Sequence, residues 1–169
     1  MLERENSKNR PKVERWFIAS AAAFSLFQFV GGDLFDLSKN YNCFRYLGCN
    51  VGFFGYDVIV HFFGGLMEAM FLVWLMEKYP KFNILSKSFL KNAIIIIAVC
   101  VLIGVVWEMY EFGYDHFRMD VLREDIVQKN QLLQPTNSDT MGDLTFGLLG
   151  AASALALIKF FNISSEKWI

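Results

Sequence analysis

The sequence predicts an all-α membrane protein, a helix bundle with four transmembrane helices. Hydrophobic residues make up 54% of the 169 residues, 18 residues are Phe, and the mean hydropathy is +0.33. A helix that crosses a bilayer core of roughly 30 Å needs about 20 mainly apolar residues. Four stretches approach that length, namely residues 16–32, 56–76, 93–112 and 141–161. No stretch alternates with the period of a barrel strand, so we expect helices throughout.

The distribution of basic residues predicts that both termini are cytoplasmic. In an antiparallel bundle, the tails 1–15 and 162–169 share one side with the loop 77–92, and loops 33–55 and 113–140 lie on the other side. That other side carries five of the 16 Lys and Arg residues, namely Lys39, Arg45, Arg118, Arg123 and Lys129. The remaining eleven lie on the first side. Because positively charged segments stay in the cytoplasm, we expect a multi-pass protein of the plasma or inner membrane.

Two features of this topology have alternatives. A basic start followed by a short apolar run is also the pattern of a secretory signal peptide, and cleavage there would leave three spans. Cys43 and Cys49 fall in the outer loop 33–55, where an oxidising exterior permits a disulfide; two free thiols are the alternative. Cys100 lies in the middle of a span and is interpreted as a small apolar filler.

Polar residues mark the outer ends of three predicted spans. They form three pairs, namely Asp57 and His61 at the start of the second span, Glu108 and Glu111 at the end of the third, and Asp139 and Asp143 at the start of the fourth. Spacings of three and four residues place both members of a pair on one helical face. Six such groups cannot all be ionised side by side, so either some hold protons or a cation lies among them. We therefore predict that these six residues bind a divalent metal ion, Mg, Mn, Ca or Zn.

Each pair also has a structural explanation. Asp57, Asp139 and Asp143 lie in or just before first helical turns, where free N–H groups and the helix dipole favour an anion. The two glutamates are predicted at a helix C-terminus, where the dipole disfavours negative charge, so their alternative is solvation at the membrane edge. The histidine alone could be a hydrogen-bonded packing residue.

Glu68 extends the polar face of the second span toward the middle of the bilayer. It follows His61 by seven residues, two turns further along the same face. A carboxylate at the midplane costs about 2 to 3 kcal/mol even on lenient scales, so we expect Glu68 to face the bundle interior in a neutral or paired state. We assign it to the polar pocket but not to the metal ligands.

The outer loop 113–140 contains a second helical pattern. Phe117, Val121 and Ile126 recur at near-helical spacing among charged residues, which predicts a short amphipathic helix at the outer interface. Pro135 would end that helix, and the polar residues 137–139 can cap the last span.

The motifs around these residues resemble a known family. The segments YDVIVHFFGG, WEMYE and DTMGDLTFGLLGA are similar to those of the YjdF-type inner-membrane proteins, which look like relatives of the VanZ-like membrane group. The resemblance covers roughly residues 55–155 and implies the same six polar residues as the family's site. Glu111 stands where the VanZ-like pattern has glutamine, and no arginine precedes the final aspartates. VanZ-like proteins are associated with susceptibility to glycopeptide antibiotics, so the resemblance implies an envelope location and a site, without a reaction.

Three functions are compatible with this pattern. The first is a site for a divalent cation and a polar head group of a lipid or the cell envelope, where the metal could polarise a phosphoryl or acyl group or activate water. The second is a small proton- or cation-coupled transporter in which the acids form a relay. The third is a non-catalytic subunit or chaperone-like partner in a membrane complex, whose carboxylates stabilise its own fold. A homo-oligomer or a partner subunit could supply the inner polar groups that a transporter would need. Nucleic-acid binding has no support, because the membrane topology already accounts for the basic residues.

Overall fold

The computed structural model describes residues 10–29, 56–79, 88–120 and 137–163. These residues form four α-helices, namely α1 (Arg10–Gln28), α2 (Tyr56–Lys78), α3 (Phe89–Asp120) and α4 (Asn137–Phe160). The described part of the chain is all-helical, which confirms the predicted all-α class. The predicted disulfide between Cys43 and Cys49 and most of the predicted amphipathic helix lie outside the described residues.

Three of the four helices are long and apolar enough to cross a membrane. The candidate spans are Val58–Lys78, Phe89–Phe117 and Thr140–Phe160. In α1, four of the first six residues are charged, which leaves its described part short of a full apolar span. The apolar run of the predicted first span continues to residue 32, beyond the described part of that helix. The structure thus supports three spans within the described residues.

The helices alternate in direction along the chain. Phe27 of α1 stacks on Phe63 near the start of α2, whereas Phe17 stacks on Trp74 near its end. Lys159 at the end of α4 lies over the ring of Phe89 at the start of α3, with its Nζ 5.0 Å from the ring centroid. The starts of α2 and α4 and the later part of α3 therefore share one end of the bundle, which we call the site end.

Glycines set the distance between α2 and α4, the central contact of the bundle. A Cβ added at Gly150 would overlap the backbone carbonyl oxygen of Phe62, and one added at Gly65 would overlap that of Gly147. Lipid tails are as apolar as leucine, so helices in a bilayer associate through close packing, which small residues permit. The two parallel helices are in backbone contact at these positions.

The end of α4 is fixed by a backbone motif. Asn162 adopts a left-handed conformation with φ of 47°, and the N–H of Ile163 donates to the carbonyl of Ile158 at 3.0 Å. This is the Schellman arrangement, in which the residue after the left-handed one folds back onto the helix. It places Ile163, only 2% exposed, in the buried core that also contains Val13 of α1.

α3 extends beyond the predicted third span. The helix continues to Asp120, so the first eight residues of the predicted loop 113–140 are helical, and Phe117 belongs to α3 rather than to a separate interfacial helix. The 32 residues correspond to about 48 Å, longer than a bilayer core. Gly113 does not stop the helix, because one glycine in a helix costs only about 1 kcal/mol.

We predict that Gly150→Ala weakens the bundle. The added methyl group would overlap the Phe62 carbonyl, and overpacking of this kind costs about 1 to 3 kcal/mol. The matched control is Gly147→Ala, whose Cβ would lie 3.8 Å from the His61 carbonyl oxygen, an ordinary contact. The free energy of unfolding, measured by titration from mild detergent into dodecyl sulfate with circular dichroism, should fall only for Gly150→Ala. Equal losses for both variants would contradict the proposed role of this contact.

Candidate functional site

Three ionisable side chains from three helices meet at the site end. His61 of α2, Glu108 of α3 and Asp143 of α4 each offer a nitrogen or oxygen atom, and these atoms all lie within 4.8 Å of one another. His61 Nε2 is 3.8 Å from Asp143 Oδ2. Glu108 and Asp143 are 5% and 2% exposed, and His61 is half-buried. We call these three residues the acid–histidine cluster.

The glycine contacts place the members of this cluster. His61 and Asp143 each stand four residues before a glycine of the α2–α4 contact, Gly65 and Gly147, and a spacing of four keeps a residue on the same helical face. The packing that joins the two helices therefore also sets His61 against Asp143.

α3 shows the same four-residue spacing between a glycine and a site residue, but with the glycine first along the chain. Glu108 stands four residues after Gly104, as an antiparallel helix requires. A Cβ added at Gly104 would lie 3.1 Å from Leu144 Cδ2 of α4, tighter than an ordinary contact. Gly104 thus lets α3 approach α4 one turn below Glu108.

A cavity of about 390 Å³ extends from the cluster into the bundle, and all four helices line it. Its polar lining residues are Gln28, His61, Glu68, Trp107, Glu111 and Asp143. Glu68 lies two turns inward of His61, about 10 Å along α2. The cavity therefore connects the cluster with the carboxylate that the sequence placed deepest in the membrane.

Glu111 lines the same cavity but has a different environment. Trp107 Nε1 donates a hydrogen bond of 2.7 Å to Glu111 Oε1, one turn away on α3. The ring of Trp107 lies 5.6 Å from that of Tyr110, which in turn lies 6.2 Å from Tyr114. Glu111 is thus held against an aromatic row, outside the acid–histidine cluster.

The structure brings together only part of the predicted ligand set. Three of the six residues form the cluster, and Glu111 lies on the cavity wall. Asp57 and Asp139 belong to the first turns of α2 and α4, but their side chains lie outside the described part of the structure. Glu68, predicted for the same polar pocket, lines the cavity.

The extension of α3 changes the electrostatic argument for the glutamates. The sequence placed Glu108 at a helix C-terminus, but α3 continues for twelve residues beyond it. The dipole effect falls off within the last turn, so it does not act on Glu108. Burial, with Glu108 only 5% exposed, is therefore the main electrostatic constraint on this carboxyl group.

Sequence analysis missed one buried acid. Asp115 is only 6% exposed, and it follows Glu108 by seven residues and Glu111 by four, so it shares their helical face. That spacing could have identified it, but the predicted span ended at residue 112. Cys100, predicted to be an apolar filler, is buried and lines the cavity.

Comparison with known proteins identifies one family. The model of a family described as "Predicted membrane protein (DUF2238)" matches residues 6–163, a range that includes all four helices. No curated protein and no solved structure matches the chain. The family description agrees with the three apolar helices of the structure. The chain therefore belongs to the DUF2238 family of predicted membrane proteins.

Proposed function

We propose that the acid–histidine cluster binds a divalent cation at the membrane surface and presents it to a polar head group of a lipid or of the cell envelope. The observation that carries this proposal is the convergence of His61, Glu108 and Asp143, from three separate helices, to within 4.8 Å. Bundles build metal centres in this way, from side chains that face one another on adjacent helices.

A divalent cation would lower the electrostatic cost of placing two carboxylates in the cluster. Two unit charges no more than 4.8 Å apart repel by at least about 3.5 kcal/mol at an effective dielectric constant of 20. The described cavity lining includes no Lys or Arg. A divalent cation would offset both charges, whereas a protonated histidine would offset one.

The ligand set favours particular ions. One imidazole with two carboxylates suits Zn²⁺ or Mn²⁺ better than Mg²⁺ or Ca²⁺, which prefer oxygen ligands alone. Ligands about 2.1 Å from a tetrahedral ion lie about 3.4 Å apart, so the cluster would close by roughly 1 Å around it. Three protein ligands leave a fourth position open, where a bound ion could polarise a head-group oxygen or activate water.

The distribution of Lys and Arg between the two ends of the bundle supports a site that faces the cell exterior. Of the seven Lys and Arg residues in the described helices, only Arg118 belongs to the site end; the others are Arg10, Lys12, Arg15, Lys78, Lys91 and Lys159. Positive segments stay cytoplasmic, so the site end faces outward and the termini face the cytoplasm. The resemblance to VanZ-like proteins also favours a role at the outer surface of the plasma membrane.

We predict that Glu108→Gln and His61→Ala each abolish stoichiometric binding of Mn²⁺ or Zn²⁺. Each change removes one of three ligands, and Glu108→Gln keeps the side-chain volume. Metal content of the purified protein and Mn²⁺ titration followed by electron paramagnetic resonance measure the effect. Glu77→Gln, on α2 near its other end, is the matched control and should bind normally. Retention of the ion by both cluster variants would refute the metal site.

The orientation of the site end relative to the membrane can be tested separately. In a chain freed of its three native cysteines, Asn137→Cys places a thiol at the start of α4 and Ser88→Cys places one just before α3, at the opposite end. A membrane-impermeant maleimide should label the first in intact cells and the second only after permeabilisation. The reverse pattern would show that the cluster faces the cytoplasm.

A second candidate is proton- or cation-coupled transport, and the extension of the cavity to Glu68 favours it. Beyond Glu68, the fully buried Asn92 of α3 supplies a polar group near the opposite end of the bundle. A relay needs such groups on both halves of the membrane.

If this candidate is right, purified protein in liposomes should change the internal pH under an imposed ion gradient, and Glu68→Gln should stop that change. A pH-sensitive dye inside the vesicles reports the flux. Vesicles that respond no more than protein-free vesicles would eliminate transport, while leaving the metal site untouched.

A further inference from the structure

We propose that the cavity below the acid–histidine cluster binds an organic ammonium ion with a short apolar body, and that the Glu68 carboxylate is its counter-charge. The inference goes beyond the proposed metal site, because it uses the inner wall of the cavity and a residue outside the cluster. It follows from the charge, the size and the polarity of the cavity.

The charge of the lining excludes an anionic ligand. Apart from the Cys100 thiol, the ionisable residues of the described lining are three acids and one histidine, with no Lys or Arg. Glu111 accepts the Trp107 hydrogen bond, and Asp143 lies beside His61. Glu68 is the remaining acid, and within the described helices no hydrogen bond or ion pair joins it to another side chain. A cation in the cavity would supply a partner for the ionised form of this carboxyl group.

The walls indicate that this cation carries an apolar group. The inner lining consists mainly of aliphatic residues and glycines, such as Val101, Leu148 and Gly64. A volume of about 390 Å³ lies near the lower end of small-molecule sites, which span roughly 300 to 1,000 Å³. A hydrated inorganic ion would find few ligands along these walls, and a lipid chain alone would leave Glu68 without a counter-charge. An ammonium group on a short hydrocarbon would pair with the Glu68 carboxylate and would also fit the apolar walls.

Trp107 completes the site at its cluster end. Its ring lines the cavity next to Glu111, and the face of an indole attracts cations within about 6 Å. An ammonium ion entering from the site end would pass Trp107 before it reaches Glu68.

The test compares three probes with the same apolar body and different charge: butylammonium, 1-butanol and butyrate. Each is titrated calorimetrically into the protein in lipid nanodiscs, and the heat from empty nanodiscs is subtracted. Because a hydrogen bond to a charged group is worth roughly tenfold to hundredfold in affinity, butylammonium should bind the unmodified protein at least about tenfold more tightly than either analogue. Equal binding of all three probes would overturn the proposal.

Glu68→Gln should remove the preference for butylammonium, and Glu77→Gln, on the same helix outside the described lining, should retain it. An unchanged preference in Glu68→Gln would also overturn the proposal. All titrations are run on chelator-treated protein with its metal content measured, so the outcome for the ammonium site does not depend on that for the metal site. The probe series on unmodified protein remains decisive if Glu68→Gln does not fold.

Discussion

The backbone contact between α2 and α4 is the constraint on which the site depends. Gly65 packs against the backbone of Gly147 and Gly150 against that of Phe62, so that the two helices touch; His61 stands one turn before Gly65 and Asp143 one turn before Gly147. A shift of one helix by a single turn, about 5.4 Å, would separate these two side chains and bring side chains into positions that only glycine fits. The same alignment of α2 against α4 therefore fixes both the glycine contacts and the approach of His61 to Asp143.

That coupling explains how a membrane bundle tolerates buried carboxylates. The hydroxyls of Thr145 and Ser153 donate to carbonyls one turn back in α4, at 2.7 and 2.8 Å, and so need no neighbour. A buried carboxylate needs a hydrogen-bond donor or a cation. Glu108 and Asp143 lie beside ionisable groups of other helices, and the glycine contacts bring those helices close enough.

Three of the four predicted spans coincide with candidate spans of the structure, for physical reasons that hold without coordinates. Bilayer thickness fixes the length of apolar runs, and helical periodicity places residues three or four apart on one face. Sequence reasoning could not decide which member of each pair joins the cluster, since that depends on small helix rotations. Glu108 points to α4 because Gly104 packs there, whereas Glu111 is held by Trp107. The predicted third span ended at residue 112 because the apolar run ends there, so the continuation of α3 to Asp120 was missed, and Asp115 with it.

The helices that supply the cluster are held unequally. The apolar windows of α2 and α4 are each 39% buried, but that of α3 is only 22% buried. Glu108 thus comes from the helix with the least protein around it, while His61 and Asp143 come from the tightly packed pair. A cation held by all three would tie α3 to that pair, and anything that binds only the assembled state stabilises it by its binding free energy. Cation binding and the position of α3 would then be coupled, because α3, which carries Glu108, is the least buried of the three helices.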